Sequence, residues 1–195
     1  MKKKCAVNKG FLLYKQESNT FSLYKVICKK IPTSIFTKLG YNFFESAVEN
    51  NIINVFYIKK KDKLASVITV VNHENYNILK KKIAIYLLIN PLKVVVNFYL
   101  LIKSFFRGSN LLINKDHLHL LHLVIYKNRF KKINLKQKDN ILNFFFKEIS
   151  KIFGAKILFL CYEKENSKAR KFYFRNKFKA YDERSGIIFV KKKVN

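Results

Sequence analysis

Two apolar runs, 117–126 and 155–161, flank a segment of helical length that closes on Gly154, and this arrangement constrains the chain more than anything else in it. The first run, His117-Leu118-His119-Leu120-Leu121-His122-Leu123-Val124-Ile125-Tyr126, alternates imperfectly. It becomes apolar on both faces toward its end, as a strand inside a covered sheet does. The segment between the runs carries Ile141, Leu142, Phe145, Ile149, Ile152 and Phe153 at helical spacing, with Asp139-Asn140 as its cap. Gly154 suits the helix end, and Ala155-Lys156-Ile157-Leu158-Phe159-Leu160-Cys161 then forms a second buried strand. Strand, helix and strand in this order predict a sheet with helices on its faces.

The rest of the chain supplies more of the same layers. Phe11-Leu12-Leu13-Tyr14 alternates loosely, and the run 21–28 is expected to be the first strand. Pro32-Thr33-Ser34 opens a helical stretch bearing Ile35, Phe36, Leu39, Phe43 and Phe44, which Gly40 divides in two. The Val- and Ile-rich runs 52–58 and 64–71 are joined by Lys59-Lys60-Lys61-Asp62-Lys63 and predict a hairpin. A helical insert follows at 79–107, and a last strand is expected at 186–190. No linker or internal repeat divides residues 1–195, so one domain is expected. Its fold class is α/β (α+β), with a mixed central sheet.

Composition narrows the setting. The 40 Lys and Arg against 12 Asp and Glu give a net charge of +28, but only five of the basic residues are Arg. Abundant Lys, Asn, Ile and Phe are what an AT-rich genome encodes, so the charge is weak evidence for nucleic-acid binding; any RNA contact would be nonspecific. The field nevertheless attracts phosphates, anionic headgroups and acidic proteins. Cys5, Cys28 and Cys161 are odd in number and far apart, which points to a reduced, cytoplasmic setting and away from disulfides. The basic start Met1-Lys2-Lys3-Lys4 has no apolar run behind it, so a signal peptide is not expected. Between Ile83 and Phe106 the apolar sequence is broken by Asn90-Pro91, Lys93, Asn97 and Lys103. It never reaches the roughly 20 residues of a membrane span. Two readings stand: helices packed on the domain, or a peripheral membrane contact flanked by Lys80-Lys81-Lys82 and Arg107.

The segment 165–178 carries the chemistry. Asn166, Ala169, Phe172 and Tyr173 place a polar cap, a small residue and two aromatics on one face of a short helix, with Lys177-Phe178 just beyond its end. The string closely resembles the last conserved helix of the GNAT superfamily of acyl-CoA-dependent N-acyltransferases, whose pattern is Asn, two residues, Ala, two residues, Phe-Tyr, three residues, Gly-Phe. Only the Gly differs; it is Lys177 here.

The resemblance implies acyl transfer from acetyl-CoA or another acyl-CoA to the amine of a small-molecule acceptor. It assigns Asn166, Ala169 and Phe172 to the pantetheine arm and Tyr173 to protonating the departing thiolate. An oxyanion donor is implied among the main-chain amides of Leu123, Val124 and Ile125. The early-strand base position falls on His119, and Glu45 is a second base candidate. In the family, a glycine-rich loop after the central strand holds the pyrophosphate, but this chain has no glycine between Gly108 and Gly154. Arg129, Lys131, Lys132, Asn134, Lys136 and Lys138 stand there instead. Three readings compete: lysines replace the amides, the donor is an acyl-carrier protein, or the site has decayed into a binding module. His117, His119 and His122 are close in sequence, but no carboxylate or Cys accompanies them, so no metal is expected. The resemblance finally implies that the strands around 120–125 and 156–161 splay apart to admit the arm.

Overall fold

The computed structural model describes residues 2–90, 116–131 and 133–194. The strands are β1 (Lys2–Asn8), β2 (Phe11–Gln16), β3 (Asn54–Lys60), β4 (Lys63–Asn72), β5 (His117–Ile125), β6 (Ile157–Glu163), β7 (Lys179–Arg184) and β8 (Ile187–Lys193). The helices are α1 (Phe21–Lys30), α2 (Ile35–Leu39), α3 (Tyr41–Glu49), α4 (His73–Ile89), α5 (Leu135–Ile152) and α6 (Ser167–Arg175). The strands form one sheet in the order β1-β2-β3-β4-β5-β6-β8-β7, antiparallel throughout except for β5 and β6.

Hairpins turn on two residues with positive φ at Lys9-Gly10, Lys61-Asp62 and Ser185-Gly186. That geometry matches the twist of the flanking strands. Apolar side chains pack on both faces of the sheet. Phe56, Phe145, Leu158 and Tyr162 belong to the layer under α5 and α6. Phe36, Phe44, Val67 and Leu87 belong to the layer under α1–α4.

Several expectations need correction. The run 21–28 is a helix, because Leu23, Tyr24 and Ile27 bury one helical face. The first strands are β1 and β2 instead. α5 starts at Leu135, capped by the Asn134 side chain accepting the Gln137 N–H at 2.8 Å. Asp139, expected as a cap, is buried inside that helix and accepts from the Arg175 guanidinium. This ion pair fastens α5 to α6. The insert begins earlier than expected, at His73, where Asn72 caps α4. Its remainder, 91–107, lies outside the described residues. The span before the last strand holds β7, a polar edge strand.

α2 is anchored to the sheet through a buried histidine. Ser34 Oγ accepts the Phe36 N–H and shares a hydrogen bond with His122 Nε2 at 2.5 Å. His122 Nδ1 shares a second hydrogen bond with Thr69 Oγ1 at 2.5 Å. Burial pushes the imidazole down from 6.5 to about 4. Between those values the unfolded chain binds a proton here that the native chain does not. Stability is therefore fully present above about pH 6.5 and falls as pH drops toward 4. From pH 7 to pH 5 we expect His122 to cost on the order of 2 kcal/mol in urea unfolding, and His122→Gln to flatten that part of the curve. An unchanged pH slope in the variant would rule out this role.

Candidate active site

β5 and β6 lie side by side and then part. They pair only at His117↔Ile157, Leu118↔Leu158 and His119↔Phe159. Past that rung β5 stays on β4, to Ser66↔Ile125, while β6 stays on β8, to Glu163↔Ile187. The sheet is forked, and His119 and Phe159 form the closed end of the fork.

The bend originates in β5. Thr69 pairs with His122 and Val70 with Leu120, leaving Leu121 as an extra residue, and such a bulge turns its strand. It also resets which side chains share a face. Leu118, Leu120, Leu123 and Ile125 pack on the α5/α6 side, whereas Leu121 and Val124 pack on the α1–α4 side. Strict alternation would set His122 opposite His119, but the extra residue puts both on one side: His122 meets Phe36 of α2, while His119 stacks on Tyr76 of α4.

The bulge also decides where the main chain points. The Tyr126 N–H donates to the Ala65 carbonyl at 2.9 Å, and Ser66 Oγ donates to the Val124 carbonyl at 2.7 Å. By alternation the Val124 amide faces β4, and the amides of Leu123 and Ile125 face the fork. Two of the three expected oxyanion donors are thus turned toward the gap.

α6 borders the fork on the α5 side. Asn166 caps it, accepting the Ala169 N–H at 3.0 Å. Ala169, Phe172 and Tyr173 pack inward against the core. The Tyr173 ring stacks on Tyr162 at 5.6 Å and meets Phe178 edge-on at 5.3 Å. Burial, with smaller effects from Cys161 and Tyr162, raises the Tyr173 phenol above its usual range, so it keeps its proton. Tyr162, which in the sequence marks only the end of a core strand, has a buried hydroxyl with no hydrogen-bond partner among the described residues.

The helix end explains the motif's missing glycine. The Phe178 N–H donates to the Tyr173 carbonyl and the Lys177 N–H to the Phe174 carbonyl, both at 3.0 Å. This is a Schellman closure with Lys177 at the left-handed position, φ 63°. A side chain there costs about 1 kcal/mol. Lys177→Gly should stabilise the protein by about that amount in urea unfolding, and a destabilised variant would contradict the assignment.

The loop after β5 is a 3-10 turn, Lys127–Phe130, followed by the α5 start. Arg129 Nε is buried there with no partner among the described residues. Lys131, Asn134 and Lys136 are exposed, and Lys132 lies outside the described residues. The first intrahelical bond of α5 runs from the Lys138 N–H to the Asn134 carbonyl at 3.0 Å, so the amides of Leu135 and Lys136 point out of the helix end. An anion is favoured at such an end. These donors suit a phosphate without any glycine.

Glu45 is tied up within its own helix. It accepts from the Tyr41 hydroxyl, whose ring packs on Phe21 and Tyr24 of α1. His119 is 4% exposed, and its Nε2 has no partner among the described residues. Burial together with His117, Lys80 and His73 lowers it from 6.5 to about 3. Among the described residues, no group of three or more His, Cys, Asp or Glu is placed to hold a metal ion. No described helix is long and apolar enough to cross a membrane.

The same fold is found in solved N-acetyltransferases, among them members of the GNAT family. Solved structures share it across nearly the whole chain. The Campylobacter jejuni N-acetyltransferase PseH in complex with acetyl coenzyme A matches with a TM-score of 0.52, at 15% identity and 100% coverage of both chains. A GNAT-family acetyltransferase from Listeria monocytogenes matches at 0.52 and 12% identity, covering 98% of this chain and 99% of its own. RimL, a ribosomal L7/L12 alpha-N-protein acetyltransferase, matches at 0.55 and 10% identity, covering 100% and 96%. No family model and no curated protein matches the sequence.

Proposed function

We propose that this protein transfers an acyl group from acetyl-CoA or a related acyl-CoA to the amine of a small molecule. The observation that carries the reading is the fork: β5 and β6 separate after three rungs, beside Tyr173. The thioester arm enters the gap, and its carbonyl oxygen takes hydrogen bonds from the Leu123 or Ile125 amide. Arg129, Lys131, Lys136 and the α5 amides hold the phosphates. Asn166 keeps α6 capped, and Ala169 and Phe172 line the arm. The amine attacks from the α1–α4 side, where His119 Nε2 accepts a hydrogen bond from it. At a pKa of about 3 that imidazole is neutral and too weak to keep the proton, so it orients the amine and water removes the proton. Tyr173 protonates the leaving sulfur.

A second donor is favoured by one specific observation. The loop replaces glycines with a 3-10 turn and side-chain cations, which suits the single phosphate of an acyl-carrier protein and its acidic surface. Thermal unfolding at about 150 mM salt, near physiological ionic strength, separates the readings. Acetyl-CoA at about 100 times its Kd adds about 2.7 kcal/mol, a rise of roughly 5–10 °C for a domain this size, and Arg129→Glu removes most of it. A rise with holo- but not apo-carrier protein, and none with acetyl-CoA, selects the second donor. No rise with either overturns acyl transfer.

A further inference from the structure

Next to the closed end of the fork, on the α1–α4 side, lies a group of basic side chains, most of which the transfer step leaves unused. His117 and His119 share that face of β5, and the rung Asn72↔Leu118 brings His73, the first residue of α4, beside His117. The next rungs, His119↔Phe159 and Phe159↔Lys191, set Lys191 on the same face across two strands. Aromatic rings fill the spaces between. His119 stacks on Tyr76 at 4.3 Å and lies 4.7 Å from Phe159, and Tyr181 packs on Phe159 at 5.0 Å. Lys191 reaches over the Tyr181 ring at 5.3 Å.

Three ring nitrogens in this group are buried with no partner among the described residues: His73 Nδ1, His117 Nδ1 and His119 Nε2. A buried polar atom left unpaired forfeits its solvation, and a ligand that bonds to it restores the loss. The N-terminus of α4 adds its positive end to the same place. Two described carboxylates lie nearby, and Asp116 acts on His117 less than Lys191 and His73 do. Asp116 pairs with Lys156 at 3.4 Å, and Glu74 on the first turn of α4 is exposed.

We propose that His73, His117, Lys191 and the first turn of α4 bind an anionic group, a phosphate or carboxylate, carried by the amine acceptor. The inference rests on the acyl-transfer reading for the acceptor's identity. With the amine at His119, the anion sits about one strand repeat away at His117, roughly 7 Å along β5. That spacing excludes α-amino acids, whose two groups share one carbon, and suits an amino-sugar phosphate or a long ω-amino acid.

Two measurements test it. Inorganic phosphate and acetate are titrated against the full chain while the histidine ring NMR signals are followed. The His73 and His117 signals should shift, and His117→Gln and the surface variant Lys191→Glu should each weaken that binding at least about 10-fold, the worth of one charge-assisted hydrogen bond. Separately, acetyl transfer is compared for glucosamine against its 6-phosphate, and for hexylamine against 6-aminohexanoate. A preference of about 10-fold or more in the first pair identifies a phosphate, and in the second pair a carboxylate; Lys191→Glu should reduce it. Equal use of neutral and anionic amines, or ring signals that phosphate and acetate leave unmoved, overturns the subsite while leaving acyl transfer intact. Failure of every amine removes acyl transfer, and the anion titration then decides the subsite alone.

Discussion

Tyr173→Phe should lower kcat by about 10²- to 10³-fold while leaving the Kd for acetyl-CoA within about twofold. The asymmetry follows from where the hydroxyl sits. The ring is the larger part of the contact, stacked on Tyr162 and set against Phe172 and Phe178, and phenylalanine keeps it. Only the proton is lost. Burial raises the Tyr173 phenol, so the hydroxyl still holds its proton when the sulfur departs. Without the hydroxyl the leaving sulfur must take its proton from solvent, a slower route than a positioned acid. Rapid-quench single-turnover kinetics separate this step from product release. A variant that transfers acetyl at the original rate would remove Tyr173 from the reaction.

The elements that were legible in the sequence are those fixed by local contacts. The cap at Asn166, the hairpin on Lys61-Asp62 and the break at Gly40 all depend on residues within a turn of one another. α1 was not legible, because an eight-residue apolar run satisfies a two-residue and a 3.6-residue period almost equally. Asp139 has the composition of a cap, and only Arg175, 36 positions later, makes it a buried ion pair. β7 was missed because an exposed edge strand has no apolar face to announce it. The face of His122 was hidden for a different reason. A bulge is a backbone event, and Leu120-Leu121 gives no side-chain sign that one of the pair is extra. The packed face of α6 was thus readable from its side chains, whereas the course of β5 was hidden.

Deleting Leu121 should therefore abolish donor binding, weakening the acetyl-CoA Kd by about 100-fold or more, without unfolding the protein. Removing one residue from a strand ordinarily turns every later side chain to the wrong face. Here the opposite holds, since Leu121 is the residue that interrupts the alternation. Without it Leu120, Leu123 and Ile125 keep the α5/α6 side and His122 and Val124 keep the other. The ladder to β4 becomes regular, β5 loses its bend, and its free edge can continue to pair with β6 beyond His119↔Phe159. Deleting Leu123 instead reverses Val124 and Ile125 and should unfold the chain, which makes it the control. Isothermal titration with acetyl-CoA and far-UV circular dichroism read the two effects separately. A folded Leu121 deletion that still binds acetyl-CoA at the original affinity would show that the fork does not depend on the bulge.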